Sequence, residues 1–314
     1  MNDSWIKRLH EELLRLRGSD PAWGNRPGGA PYVEPTSLAA LALAASEPQS
    51  GMEKSRAAIR AAAAWLAGQQ QRDGALGIAP DLPQPRWTTA LGVLVWSASA
   101  AFLPARNKAV DWLLASQGTT WKPDVAEPFG HDPRIPGWPW VEGTHSWLEP
   151  TAMAVLALRR AGHAEHPRTL DGLRLIRDRA IRTGGWNYGN STVFGADLRP
   201  HPAPTGLALL ALAQIDDAES MIVERSCDYL ETLLPTTHAP QSLCFGTLAL
   251  AAWGRRPSAA DDWLLAAHDR AARWSNSIAQ LACLLLAAGE RSLDLLGVTD
   301  AGSRHARDAK GAAS

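Results

Sequence analysis

The sequence predicts an all-α protein, an (α/α)6 toroid in which six outer helices surround six inner ones. Three observations carry that expectation. Apolar residues make up 46% of the 314-residue chain, and Ala and Leu, both strong helix formers, are heavily used among them. A short lead-in ending in Thr or Ser recurs before segments that are apolar nearly all round, the mark of buried helices. Amphipathic segments alternate with these, and no period-2 run of strand type competes.

The first outer helix is expected over Ser4 to Leu16. It is followed by Glu34-Pro35-Thr36 and an inner helix over 37–45. The second pair is Glu53 to Gln69, then Trp87-Thr88-Thr89 leading into 90–100. The third is Ala105 to Gln117, then Glu149-Pro150-Thr151 leading into 152–162. The fourth is Thr169 to Ile181, then Ala203-Pro204-Thr205 leading into 206–214. Two weaker copies complete the set: Glu219 to Leu233 with Gln241-Ser242, and Ala259 to Trp274 with Asn276-Ser277. Pro is tolerated in a first helical turn, and a hydroxyl there is expected to cap free backbone N–H groups. Apolar inner helices favour a closed ring over an open solenoid, whose concave face is usually polar. One domain over residues 1–300 is expected, with a polar tail at 301–314 that frays.

A second element joins outer to inner helix. It reads Trp65-Leu66-Ala67-Gly68-Gln69-Gln70-Gln71-Arg72-Asp73-Gly74-Ala75-Leu76-Gly77, with relatives at Trp112 to Gln117, at Gly184-Gly185-Trp186 and at Asp20 to Gly24. Gly can end a helix in a left-handed turn, while Gln can bond the exposed backbone there. This pattern resembles the glutamine–tryptophan repeat of squalene and oxidosqualene cyclases. The Glu-Pro-Thr lead-ins at Glu34 and Glu149 are likewise similar to those of their toroid domains, and the same ring occurs in protein prenyltransferase β subunits. The resemblance covers nearly the whole chain and implies an isoprenoid-handling enzyme. It departs from the family at the chemical centre. The Asp-x-Asp-Asp acid motif of class II terpene cyclases is absent, as is the Asp-x-Cys zinc pair of the prenyltransferases. Asp216-Asp217 and Asp261-Asp262 are simple pairs near outer-helix starts, where acids suit the helix dipole.

The formal net charge of -1, with scattered basic residues, gives no footprint for nucleic acid. Three widely spaced cysteines make neither a disulfide framework nor a zinc motif, which fits a reducing, cytoplasmic setting. No apolar run reaches the roughly 18 residues of a spanning helix. The amphipathic N-terminal helix is expected to pack on the ring rather than touch a membrane surface peripherally. No cofactor and no metal is indicated. Cys244 with His201 and either Asp197 or His145 has zinc-ligating residue types but no supporting spacing.

Chemistry is expected at the ring's mouth, where loops enter the inner helices and helix N-termini suit an anionic group such as a diphosphate. Two loops are long enough to be functional. The loop from Trp121 to Pro150 carries Asp124, Glu127, His131, Asp132, Arg134, Trp138, Trp140, Glu142, His145, Trp147 and Glu149. The loop from Trp186 to His201 carries Tyr188, Asn190, Asp197 and Arg199. Glu149, His145 and His201 are the candidate acid–base groups. Glu34, Trp87, Asp132, Trp138, Trp140, Trp186 and Tyr188 are the candidate binding residues, the aromatics as faces for a hydrophobic or cationic substrate. The sequence therefore favours a cyclase- or prenyltransferase-like enzyme holding a hydrophobic chain in a central cavity. A non-catalytic binding module and a carbohydrate-active enzyme using paired carboxylates stand as alternatives.

Overall fold

A computed structural model describes residues 2–18, 20–46, 52–122, 130–215, 220–274 and 277–298. The expected tail at 301–314, Asp124, Glu127, the Asp216-Asp217 pair and Asn276 lie outside the described residues.

The outer helices are α1 (Asn2–Arg17), α3 (Met52–Gln69), α5 (Leu103–Ala115), α7 (Pro167–Asp178), α9 (Ser220–Leu233) and α11 (Ala260–Trp274). The inner helices are α2 (Val33–Ala45), α4 (Thr89–Trp96), α6 (Leu148–Arg160), α8 (Pro202–Leu212), α10 (Pro240–Ala252) and α12 (Ile278–Ala288). Each inner helix packs on the next, and α12 returns to α2, so the inner ring closes. The first outer helix, α1, packs against α12 and seals the join. A short helix, α13 (Ser292–Leu295), follows. The fold is an (α/α)6 toroid, as the sequence predicts. One small departure is a two-residue hairpin, β1 (Thr192–Val193) with β2 (Ala196–Asp197), inside the second long loop.

The inner helices form because Ala and Leu fill them and every side is covered. In α8 all residues from Ala203 to Leu212 are buried. Small residues let neighbours approach closely. A Cβ at Gly206 of α8 would sit 2.4 Å from the backbone of Phe245 in α10, so only Gly fits.

The threonines of the lead-ins act differently from the expectation. No side chain caps α2, α4, α6 or α8 at its N-cap residue. Instead each Thr lies within the first turn, fully buried, and clasps an incoming loop. Thr36 accepts from the Trp23 N–H and donates to the Trp23 carbonyl, both at 3.0 Å. Thr151 does the same to Trp138 (2.9 and 3.3 Å), and Thr205 to Trp186 (2.9 and 3.3 Å). In the second repeat Leu76 takes the tryptophan's place opposite Thr89. The clasped tryptophan then turns its indole N–H onto the preceding outer helix. Trp23 donates to Leu13 of α1, Trp138 to Leu113 of α5 and Trp186 to Ile176 of α7. Caps fail because the hydroxyl's partners are loop groups that would otherwise be buried without a bond.

Candidate active site in the central cavity

The inner helices converge on a cavity of about 290 Å³, lined by residues of all six. Aligning α2, α4, α6 and α8 on their clasp threonines, with Leu243 of α10 and Leu281 of α12 in the same register, resolves the lining into two stacked rings. The upper ring, at the mouth, holds Glu34 of α2, Trp87 just before α4, Glu149 of α6, Gln241 of α10 and Ala279 of α12, with Gln280 beside it. The equivalent position on α8 is Ala203. Four residues further along each helix lies the lower ring: Leu38, Leu91, Met153, Leu207, Phe245 and Cys283. Residues four apart share a helix face, so the lower ring lies about 6 Å deeper. Trp140, from the loop before α6, completes the lining.

The cavity therefore has an apolar floor and a polar collar, and the collar is lopsided. Glu34 and Glu149 flank Trp87, while the opposite side carries Ala and Gln. No Lys or Arg lines the cavity. Among the described residues neither carboxylate has a hydrogen-bond or ion-pair partner. The consequence is electrostatic. Glu149 is 9% exposed, and burial lifts its carboxyl to about 7, with the Glu34 charge pushing the same way. Burial also raises Glu34. Glu149 thus holds its proton into the neutral range, where a group transfers protons in either direction. The lining supplies no cation to pair with an anionic group such as the expected diphosphate.

A second chamber of about 250 Å³ adjoins the first, between α4, α5 and α6. Its walls include Ala90, Trp112, Leu113, Trp138, Pro139 and Ala154, and it shares Trp87 and Trp140 with the central cavity. Those two rings meet edge to face with centroids 5.0 Å apart. Arg86 at its edge is tied to Asp73 and Glu142 and lies over the Trp112 ring.

The structure gathers Glu34, Trp87, Trp140 and Glu149 on one cavity. Trp138 lines the side chamber but is 3% exposed, with Arg168 4.3 Å over its ring. Trp186 is fully buried among the helices and faces neither chamber. Tyr188 stands at the mouth, exposed. Burial raises its phenol, as does the Glu149 charge, and its ring packs on His201 at 5.2 Å. His201 and His145 are exposed and outside the lining, His145 packing on Trp147. Asp132 is pulled down to about 2, chiefly by the hydrogen bond from Arg134. Its own N–H donates to Asp178, which ties its loop to α7. Among the described residues no three His, Cys, Asp or Glu gather as a metal site. Cys244 is instead fully buried against Cys283.

No protein-family model and no curated protein sequence matches the chain. Solved structures do. The type II terpene cyclase MstE from Scytonema, in complex with geranylgeranyl dihydroxybenzoate, is similar at 14% identity with a TM-score of 0.57, covering 94% of this chain and 97% of that one. An inactive variant of an α-1,6-mannanase of Salegentibacter, in complex with α-1,6-mannotriose, is similar at 10% identity with a TM-score of 0.59, covering 94% and 100%. A protein from Actinoplanes is similar at 15% identity with a TM-score of 0.57, covering 94% and 98%. At these identities the likeness is one of fold, and that fold serves both hydrocarbon and sugar chemistry.

The lower ring escaped the sequence reading. Its helices are apolar on every side, so no periodicity distinguishes the face that looks inward. On the four helices with a first-turn Thr the signal is the register: two residues before the Thr gives the collar position, and two after it gives the floor.

Proposed function

We propose that this protein is an enzyme that moves a proton to or from an uncharged, isoprenoid-like substrate held in the central cavity, with Glu149 as the acid–base group. The observation that carries the reading is Glu149 itself: a buried carboxyl lifted to about 7, set above an apolar floor, with no cation beside it. The reaction class is a proton-driven rearrangement, a cyclisation or a double-bond shift. Glu149 gives its proton to an unsaturated carbon, and a neighbouring carbon returns one to the carboxylate pair, so no proton is gained or lost. Trp87 and Trp140 bound the reacting carbons and offer ring faces to the positive charge that develops. A neutral hydrocarbon suits the floor of Leu, Met and Phe, and a collar with two acids and no base suits a substrate without an anionic head.

The test is to purify wild type and Glu149→Gln from a host that makes isoprenoids and to identify bound compounds by mass spectrometry. The expected result is an unsaturated isoprenoid trapped in Glu149→Gln and either its isomer or nothing in wild type. Absence of any hydrophobic compound from both proteins, together with no binding of added prenyl alcohols, would overturn the reading.

One observation favours a second reading. Two carboxyls in unequal surroundings face a single cavity, an arrangement that also suits glycoside hydrolysis. Release of reducing sugar from a polysaccharide panel, lost in both Glu34→Gln and Glu149→Gln, would establish it. The apolar lower ring, with few hydrogen-bonding groups for hydroxyls, weighs against it.

A further inference from the structure

Only some of the tryptophans are pinned through the indole N–H. Trp23, Trp96, Trp138, Trp186 and Trp253 each donate the indole N–H to a helix carbonyl at 2.7–3.0 Å, which fixes the ring. Trp87 and Trp140 have no such bond among the described residues. Both are half-buried, both line the central cavity and the side chamber, and their rings meet edge to face at that shared wall. That contact is worth about 1 kcal/mol, so moving it aside costs little against the area a ligand would bury. Each chamber alone is at or below the small end of ligand pockets, about 300 Å³; the two joined are well within that range.

The side chamber offers no free charge. Arg86 is held by Asp73, Glu142 and the Trp112 face, and the rest of the wall is Trp, Pro, Leu and Ala with the uncharged polar Ser116 and Gln117. It suits an uncharged apolar group. Ala90 and Ala154 contribute to its wall and not to the central cavity, and their small side chains keep it open.

We infer that Trp87 and Trp140 form a movable partition, and that the substrate is a chain too long for the central cavity, its far end passing the partition into the Trp-walled side chamber. The inference rests on the proposed isoprenoid-like substrate and adds its length class and the residues that select it.

The test measures binding of geraniol, farnesol and geranylgeraniol to the full chain by equilibrium dialysis. Ala154→Met fills the side chamber from α6. It should weaken geranylgeraniol by about ten-fold or more, because several methylenes lose their burial, and leave geraniol within about two-fold. Ala90→Met blocks the same chamber from α4 and serves if the first variant fails to fold. Trp140→Ala, on a half-exposed loop, removes the partition and should raise geranylgeraniol relative to geraniol. Equal losses for short and long alcohols, or no change in any variant, would overturn the partition while leaving the proposed substrate class intact. Failure of wild type to bind any of the three alcohols would overturn both.

Discussion

Glu149 is held where its charged form is disfavoured, and that has a thermodynamic cost that can be measured. Its carboxyl titrates near 4.5 in the unfolded chain and near 7 in the folded one. Between these values the folded protein keeps a proton that the unfolded chain has released. Stability therefore falls as pH rises from about 4.5 to about 7, and it stays lowered above that. Glu149→Gln removes the effect. We expect the variant to match wild type near pH 4 and to exceed it by about 3 kcal/mol above pH 7, read by urea unfolding at each pH. A variant less stable than wild type at alkaline pH would mean that the carboxylate is satisfied where it sits. At the same scale, His145 and His201 were read as acid–base candidates from residue type and loop position, and both lie outside the cavity lining. Whether a mouth residue looks inward depends on loop geometry that residue type does not encode.

Among elements, the threonine clasp explains why the lead-ins repeat. The buried loop backbone at Trp23, Trp138 and Trp186 needs partners, and a first-turn hydroxyl supplies both a donor and an acceptor. Replacing Thr151 with Val keeps the shape and leaves the Trp138 N–H without its partner. A loss of roughly 2–3 kcal/mol is expected from the denaturation midpoint, since a buried unsatisfied group costs that much. Thr247 is equally buried but bonds only carbonyls of its own helix, at Leu243 and Cys244. Thr247→Val should cost less than about 1 kcal/mol, because those carbonyls already serve the helix. The recurrence was plain in the sequence, and so were the helices it introduces. The purpose of the hydroxyl was not, because a cap and a clasp place the same residue within one turn of the same spot. Trp186 was read as a ligand face for a related reason: composition does not separate an indole that closes a helix end from one left free to touch a substrate.

Across the whole molecule, the ring depends on its join. On α1, Trp5, Leu9 and Leu13 are buried, and His10 lies between the hydroxyls of Ser46 (3.0 Å) and Ser55 (2.6 Å), so the first helix ties α2 and α3 to the closure at α12. Leu9→Ala should cost about 2–5 kcal/mol and lower the melting temperature of the whole ring in one transition. A separate early transition confined to α1 would show that the join is not part of the cooperative unit. The ring was legible because its evidence is redundant: six apolar helices, each with a lead-in, leave one compact arrangement. The cavity was half legible. Glu34 and Glu149 stand out as charges repeated before apolar helices, whereas Leu38, Met153, Phe245 and Cys283 vanish into runs that are apolar all round. The claim on which the function rests is that Glu149 keeps its proton near neutrality because it is buried and faces Glu34. Its most direct test is the carboxyl titration itself, by infrared difference spectroscopy of wild type against Glu149→Gln, repeated in the Glu34→Gln background. We expect a midpoint near 7 that falls when Glu34 is neutral; a midpoint in the ordinary range near 4.5, indifferent to Glu34, would contradict the account.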